Sequence, residues 1–196
     1  MLGFSHDSND RKAQTLRILP VLLALLAGML PAFAQGSGFT LFGNRDFEMD
    51  GVQDEGGKMM RMRYLAERRI LRIEALDGSG QVMLRDLAKG DVLILVQEGR
   101  QGIYGSRGRP IIGMAVLPGE AMREVAGETC REARVNGTTI CLSQDGIPLV
   151  MEEGGAPFRA IRLLRQAQNP ALFTVPKDAK IQPMPGSKSP VPGVPF

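Results

Sequence analysis

The chain has 196 residues, of which 43% are hydrophobic and 23% charged, with a formal net charge of +3. These values exclude a collagen, a coiled coil and a wholly disordered chain. The charge is too small to imply nucleic-acid binding. The single histidine, His6, precedes every predicted folded element. Without another, the chain carries no Ser-His-Asp triad, no His-ligated zinc or haem and no histidine acid–base chemistry.

The first element is an export segment. Arg11, Lys12 and Arg17 precede the apolar run Ile18–Leu30, and Ala32-Phe33-Ala34 follows Pro31. A basic n-region, an apolar h-region and a small-x-small site make a signal peptide over residues 1–34, cleaved after Ala34. The alternative is a retained anchor. The uncharged stretch Ile18–Ala34 has 17 residues with two prolines, short of the ~20 that a spanning helix needs. Export predicts a periplasmic protein that does not span the membrane once cleaved.

From Phe39 to Pro176 short apolar runs alternate with Gly, Asn and Asp. Met60, Met62 and Tyr64 alternate with Arg61 and Arg63, which is the period of a strand. Leu71, Ile73 and Ala75 repeat the pattern before a turn at Asp77–Gly80, and Gln81–Leu87 is a third run. Val92–Val96 (VLILV) is apolar on both faces and is predicted to be a central strand. Gly105–Pro110 reads as a loop, and Met114–Val125 is the best helix candidate, a short one after Pro118-Gly119. Arg131–Val135 and Thr138–Leu142 flank Asn136-Gly137, the strongest two-residue hairpin turn. Asp145-Gly146 turns the chain into Ile147–Glu152. Phe158–Arg165 is a strand or short helix, and Leu172–Val175 a last short strand. Turns every 8–12 residues argue for a mainly β domain over 39–176, a curved, mostly antiparallel sheet. Residues 177–196 form a proline-rich flexible tail, with five prolines from Gln182 to Phe196.

Cys130 and Cys141 are the only cysteines. In an exported chain they are predicted to form a disulfide. A two-residue turn at Asn136-Gly137 sets Glu132 opposite Cys141 and leaves Cys130 two places out of register. Either the hairpin is bulged or Cys130 lies outside its ladder.

No phosphate loop, nucleophile elbow or dense calcium-ligand set is present. No catalytic residue, cofactor or metal site is expected. Arg61, Arg63, Arg72 and Arg85 lie on successive strands and are read as a basic surface, either a solvated face or one that meets anionic headgroups. Met59, Met60, Met62, Met83, Met114, Met122 and Met151 are scattered through the apolar elements. Methionine fills irregular cores and also lines adaptable cavities.

Five stretches in order carry a family resemblance: Met62–Ile73, Gln81–Val96, Val125–Val135, Thr139–Leu149 and Pro170–Pro176. Together they resemble the exported bacterial proteins with a DUF4412 domain, related in fold to the LolA/LolB lipoprotein carriers. The resemblance implies an α+β architecture, an open half-barrel with short helices over its concave face. It carries over no catalytic residue. It implies a non-enzymatic protein that binds a lipid-like ligand or an envelope protein partner. The apolar ligand face would then comprise Met60, Met62, Tyr64, Leu93 and Leu95. The alternative is a structural module of the envelope with a packed core and no cavity.

Overall fold

The structure, a computed structural model, describes residues 40–53, 56–106, 110–111, 114–152 and 157–185. The predicted export segment, its expected cleavage site and the tail from 186 lie outside the described residues.

Twelve strands build one sheet: β1 Phe47–Gln53, β2 Lys58–Leu65, β3 Ile70–Ala75, β4 Val82–Asp86, β5 Asp91–Val96, β6 Gln101–Ser106, β7 Leu117–Val125, β8 Glu128–Val135, β9 Thr138–Ser143, β10 Pro148–Met151, β11 Phe158–Leu164 and β12 Lys180–Pro183. Their spatial order is β12-β6-β5-β4-β3-β2-β1-β11-β10-β9-β8-β7. Every ladder is antiparallel except β12 on β6. The first and last strands do not pair, so the sheet is open.

Partners directly across a ladder share a face. Met62 lies opposite Ile73, Ile73 opposite Met83, and Met83 opposite Ile94. Those residues mark one face. Arg63 lies opposite Arg72, Arg72 opposite Leu84, and Leu84 opposite Leu93, which mark the other. Strands β4 and β10 are five places apart, about 24 Å in a flat sheet. Their residues Met83 and Met151 nevertheless line one cavity. The sheet therefore curls, with the Met62 face inside, and β7 comes back to touch β11.

The inner face holds the main core, including Phe47, Met49, Met62, Tyr64, Leu71, Ile140, Leu142 and Leu149. Among the described residues no helix covers it, contrary to expectation. Its cover is Leu41 and Phe42 ahead of β1 and Ile111, Met114 and Val116 ahead of β7. The expected helix over Met114–Val125 is strand β7. Pro118-Gly119 sits inside the segment and breaks helical hydrogen bonding, whereas an edge strand tolerates both. Phe158–Arg165 resolves as strand β11, and Pro170–Phe173 is a 3-10 turn in place of the expected strand. Asn169 starts that turn by accepting from the Ala171 amide.

Two further expectations are corrected. Strand β5 is laddered on both sides but is third from the sheet's end, and β1 and β2 hold the middle. Its outer residues Leu93 and Leu95 are buried because Val175 and Ile181 pack over them. The tail is not unpacked from 177, because Lys180–Pro183 pairs in parallel with β6. This pairing covers the β6 edge and leaves the four-residue β12, which carries Pro183, as the short edge strand. Gly102 permits the pairing, since a Cβ there would lie 2.7 Å from the Ile181 Cδ1.

The Cys130–Cys141 disulfide is present, with Cα atoms 5.4 Å apart. Neither expected distortion occurs. Asn136 and Gly137 take the positive φ of the two-residue turn, and the ladder runs without a shift from Val135 opposite Thr138 to Cys130 opposite Ser143. The bridge closes a diagonal of that regular ladder, which strand twist can draw together. Both cysteines are buried in the main core.

Ending the chain at Ala179 should lower the unfolding free energy by more than about 1 kcal/mol, from the lost burial of Ile181 alone. A urea titration against the full chain reads the difference. An unchanged midpoint would contradict the β12–β6 pairing.

Candidate functional site

The inner face is not filled to its end. Beyond Met62 the sheet encloses a half-open groove of about 370 Å³. Met60 and Met62 enter from β2, Ile73 and Ala75 from β3, Met83 from β4, Met151 from β10 and Phe158 from β11, while Met59, opposite Val52 on the outer face, borders the rim. Gln53, Lys58, Asp77 and Gln81 complete the lining. Met59, Met60, Met83 and Met151 are half-buried, while Met62 is 4% exposed and forms the inner end.

Strand alternation puts these side chains together. Met60 and Met62 are two residues apart on β2, so both point inward. Met83 follows across Ile73, and Met151 lies opposite Phe158. The Phe158 ring lies under β1 because Gly51 has no side chain, and a Cβ there would be 2.3 Å from Phe158 Cζ. At the rim, Asp77 accepts from the Ser79 amide at 2.9 Å. The Ser79 hydroxyl and amide hold the Asp77 carboxyl below its ordinary range, and the Lys58 charge adds a smaller pull.

The predicted ligand face divides. Met60 and Met62 line the groove. Tyr64 shares their face but lies deeper, its ring centroid 5.5 Å from Phe47 and 5.8 Å from Phe42. Burial raises its phenol pKa. Leu93 and Leu95 are on the opposite face of the sheet, in a separate cluster with Leu84 and Tyr104. Leu95 borders a different cavity, about 320 Å³, shared with Arg72, Leu172 and Pro176. Apolar runs on both faces of β5 do not reveal which side reaches the groove. Phe158 went unrecognised as a lining residue, because its place depends on pairing between β1 and β11, which are distant in sequence.

The predicted basic surface is also corrected. Arg61, Arg63 and Arg72 lie on the outer face, while Arg85 pairs with Leu71 and Val92 and so points inward. The outer three are neutralised. Arg61 donates to Asp50 at 2.7 and 3.1 Å. Arg63 bridges Glu48 at 2.9 Å and Glu74 at 2.5 Å. Arg72 donates to Glu74 at 2.5 Å and to the Leu172 carbonyl at 2.6 Å. Arg162 on β11 joins the network through Asp50 at 2.7 Å and Glu48 at 2.8 Å. The sequence showed the arginines of each strand but not the carboxylates of β1 and β3 facing them.

The network holds Asp50 and Glu74 ionised. The Arg61 hydrogen bond lowers the Asp50 pKa against the opposing effect of burial. Burial pushes Glu74 up, and Arg72 and Arg63 together outweigh it and lower the net value. At the β9–β10 turn, Arg165 and then Ser143 lower Asp145 to about 2.

Among the described residues, no three of His, Cys, Asp and Glu converge as a metal site. No described helix is long and apolar enough to cross a membrane. The sequence matches no family model and no curated relative. Two crystal structures of PNGF-II, in space groups P21 and C2, superpose with a TM-score of 0.48 at 11% and 12% identity. The match covers 71% of this chain and 31% of PNGF-II, so the chain spans less than a third of that protein.

Carboxyls with depressed folded pKa values stabilise the fold above the unfolded value and lose that contribution as pH falls through the folded one. Urea midpoints should therefore fall between about pH 4 and about pH 2, the lower limit set by Asp145. Glu74→Gln removes the bridge between the facing Arg63 and Arg72. It should cost about 1–2 kcal/mol at neutral pH and flatten the acid dependence. A variant with the wild-type midpoint and the wild-type acid slope would contradict the network.

Proposed function

We propose that this chain is an exported, non-enzymatic binding protein that takes an apolar, lipid-like ligand into the methionine-lined groove. The observation that carries the reading is the groove itself. Its volume of about 370 Å³ lies at the small end of the range for ligand sites, which suits one acyl chain better than a whole lipid. Its walls are thioether, aliphatic and aromatic, with polar groups confined to the rim. Flexible methionines let such a site accept chains of different shape. The signal-like segment at 1–34 and the buried disulfide both suit an oxidising periplasm. The open, curled sheet agrees with the half-barrel implied by a DUF4412 and LolA-type resemblance, without the helices. The neutralised outer face makes headgroup attraction a weak contributor, so burial of the apolar tail supplies most of the affinity. The groove favours this reading over a structural envelope module without a cavity.

A hydrophobic fluorescent probe such as N-phenyl-1-naphthylamine tests the reading. The wild type should enhance its emission, and dodecanoate should displace it. Met60→Trp fills the half-open part of the groove, so it should block the probe with little loss of stability. Met62→Trp places the same volume where the wall is 96% covered, and should cost about 1–3 kcal/mol by overpacking. A wild type that binds neither probe nor dodecanoate would overturn the proposal.

A further inference from the structure

The apolar reading does not explain why the groove is built from methionine. Leucine and isoleucine would serve a hydrophobic wall equally well, and the chain uses them elsewhere. The two smaller buried clusters consist of leucine, isoleucine, tyrosine and phenylalanine, without a methionine. Of the nine methionines after residue 34, five line this one groove. They come from three strands, and the ladder register places Met60, Met62 and Met83 on one face within a three-strand span.

We infer that these thioethers form a binding site for a soft monovalent cation, Cu(I), with Ag(I) as its chemical equivalent. Thioether sulfur is a soft, neutral donor that binds Cu(I) and discriminates against Mg(II) and Ca(II), which require oxygen ligands. Zinc requires thiolate, imidazole or carboxylate, and the lining has one carboxylate, Asp77, and no cysteine or histidine. Two or three sulfurs suffice for a d10 monovalent ion. Each methionine has three rotatable bonds with which to bring its sulfur inward. Asp77 and Lys58 at the rim offset each other's charge, so the thioethers supply the affinity, and the half-open mouth admits the ion. Binding involves no electron transfer, since the ion enters and leaves as Cu(I). The inference uses the same groove as the proposed ligand but not the same chemistry. A hydrophobic ligand needs the apolar wall, whereas the ion needs sulfur.

Methionine-to-leucine substitution separates the two, because it removes sulfur and conserves volume. The purified full chain is titrated with Ag(I) nitrate in chloride-free buffer by calorimetry, and with Cu(I) against bicinchoninate under argon. The wild type should bind one equivalent. M60L/M83L should weaken binding by at least ~10-fold, since even outer-shell changes at metal sites cost that much. The same variant should still take up N-phenyl-1-naphthylamine and melt like the wild type, which shows that its groove is intact. M122L, on the exposed edge strand β7, should bind Ag(I) like the wild type. Uptake of Ag(I) by a wild type that ignores the probe would support the ion site while the apolar-ligand reading fails. A wild type that takes up no Ag(I), or an M60L/M83L variant that binds it as tightly, would overturn the inference.

Discussion

The sheet carries register shifts in three ladders, β1–β11, β9–β10 and β7–β8, and the one where its two halves meet positions the groove. Strands β1 and β11 pair in register on either side of Asp50 and Gly51, and between them the register shifts by one residue. Ile161 is the extra residue on β11, 50% exposed. A bulge of this kind bends a strand and increases its twist. It also changes which side chains face inward. After it, Arg162 points outward to Asp50 and Glu48, and Leu163 points inward to the core. Gly51 leaves the room into which the Phe158 ring fits. A flat twelve-strand sheet without helices would leave one apolar face in water. The bend lets the sheet cover that face with itself.

The division of the outer face follows from the same geometry. Over β2 and β3 the 3-10 turn packs on it through Phe173 and meets Arg72. On β1, β2, β3 and β11 the strands carry Glu and Asp facing Arg across the ladders. Opposite charges at cross-strand positions stabilise each pair modestly, and sharing each carboxylate between two arginines spreads the benefit. Over β4 to β6 Val175 and Ile181 pack on the sheet, and there the outer face is leucine and tyrosine. The chain thus changes from charged to apolar outer residues where its own covering segment begins.

Local patterns made much of this legible in the sequence. Period-two alternation located β2 and β3, the apolar run Val92–Val96 located β5, and Asn136-Gly137 located the β8–β9 hairpin with its register. Two lone cysteines, in a chain expected to be exported, were enough to pair them. The errors arose where long-range pairing overrides local pattern. Leu93 and Leu95 look like inward residues until the ladders from Met62 to Ile94 assign them to the other face. Lys180–Pro183 looks like tail until β6 is seen to need a partner. Arg61, Arg63 and Arg72 look like a basic surface until β1 and β3 supply their carboxylates. Met83 and Met151 were each legible as apolar strand residues. Their meeting in one groove was not, because it requires the bend at Gly51.

The central claim is that the inner end of the curled sheet is an occupied site rather than an imperfectly packed core. Methyl-13C methionine NMR tests it most directly, because the site carries its own reporters. Adding dodecanoate to the labelled protein should shift the methyl signals of Met59, Met60, Met83 and Met151. The signal of Met122, 55% exposed on β7, should stay in place. Shifts confined to Met122, or no shift at saturating dodecanoate, would contradict the account.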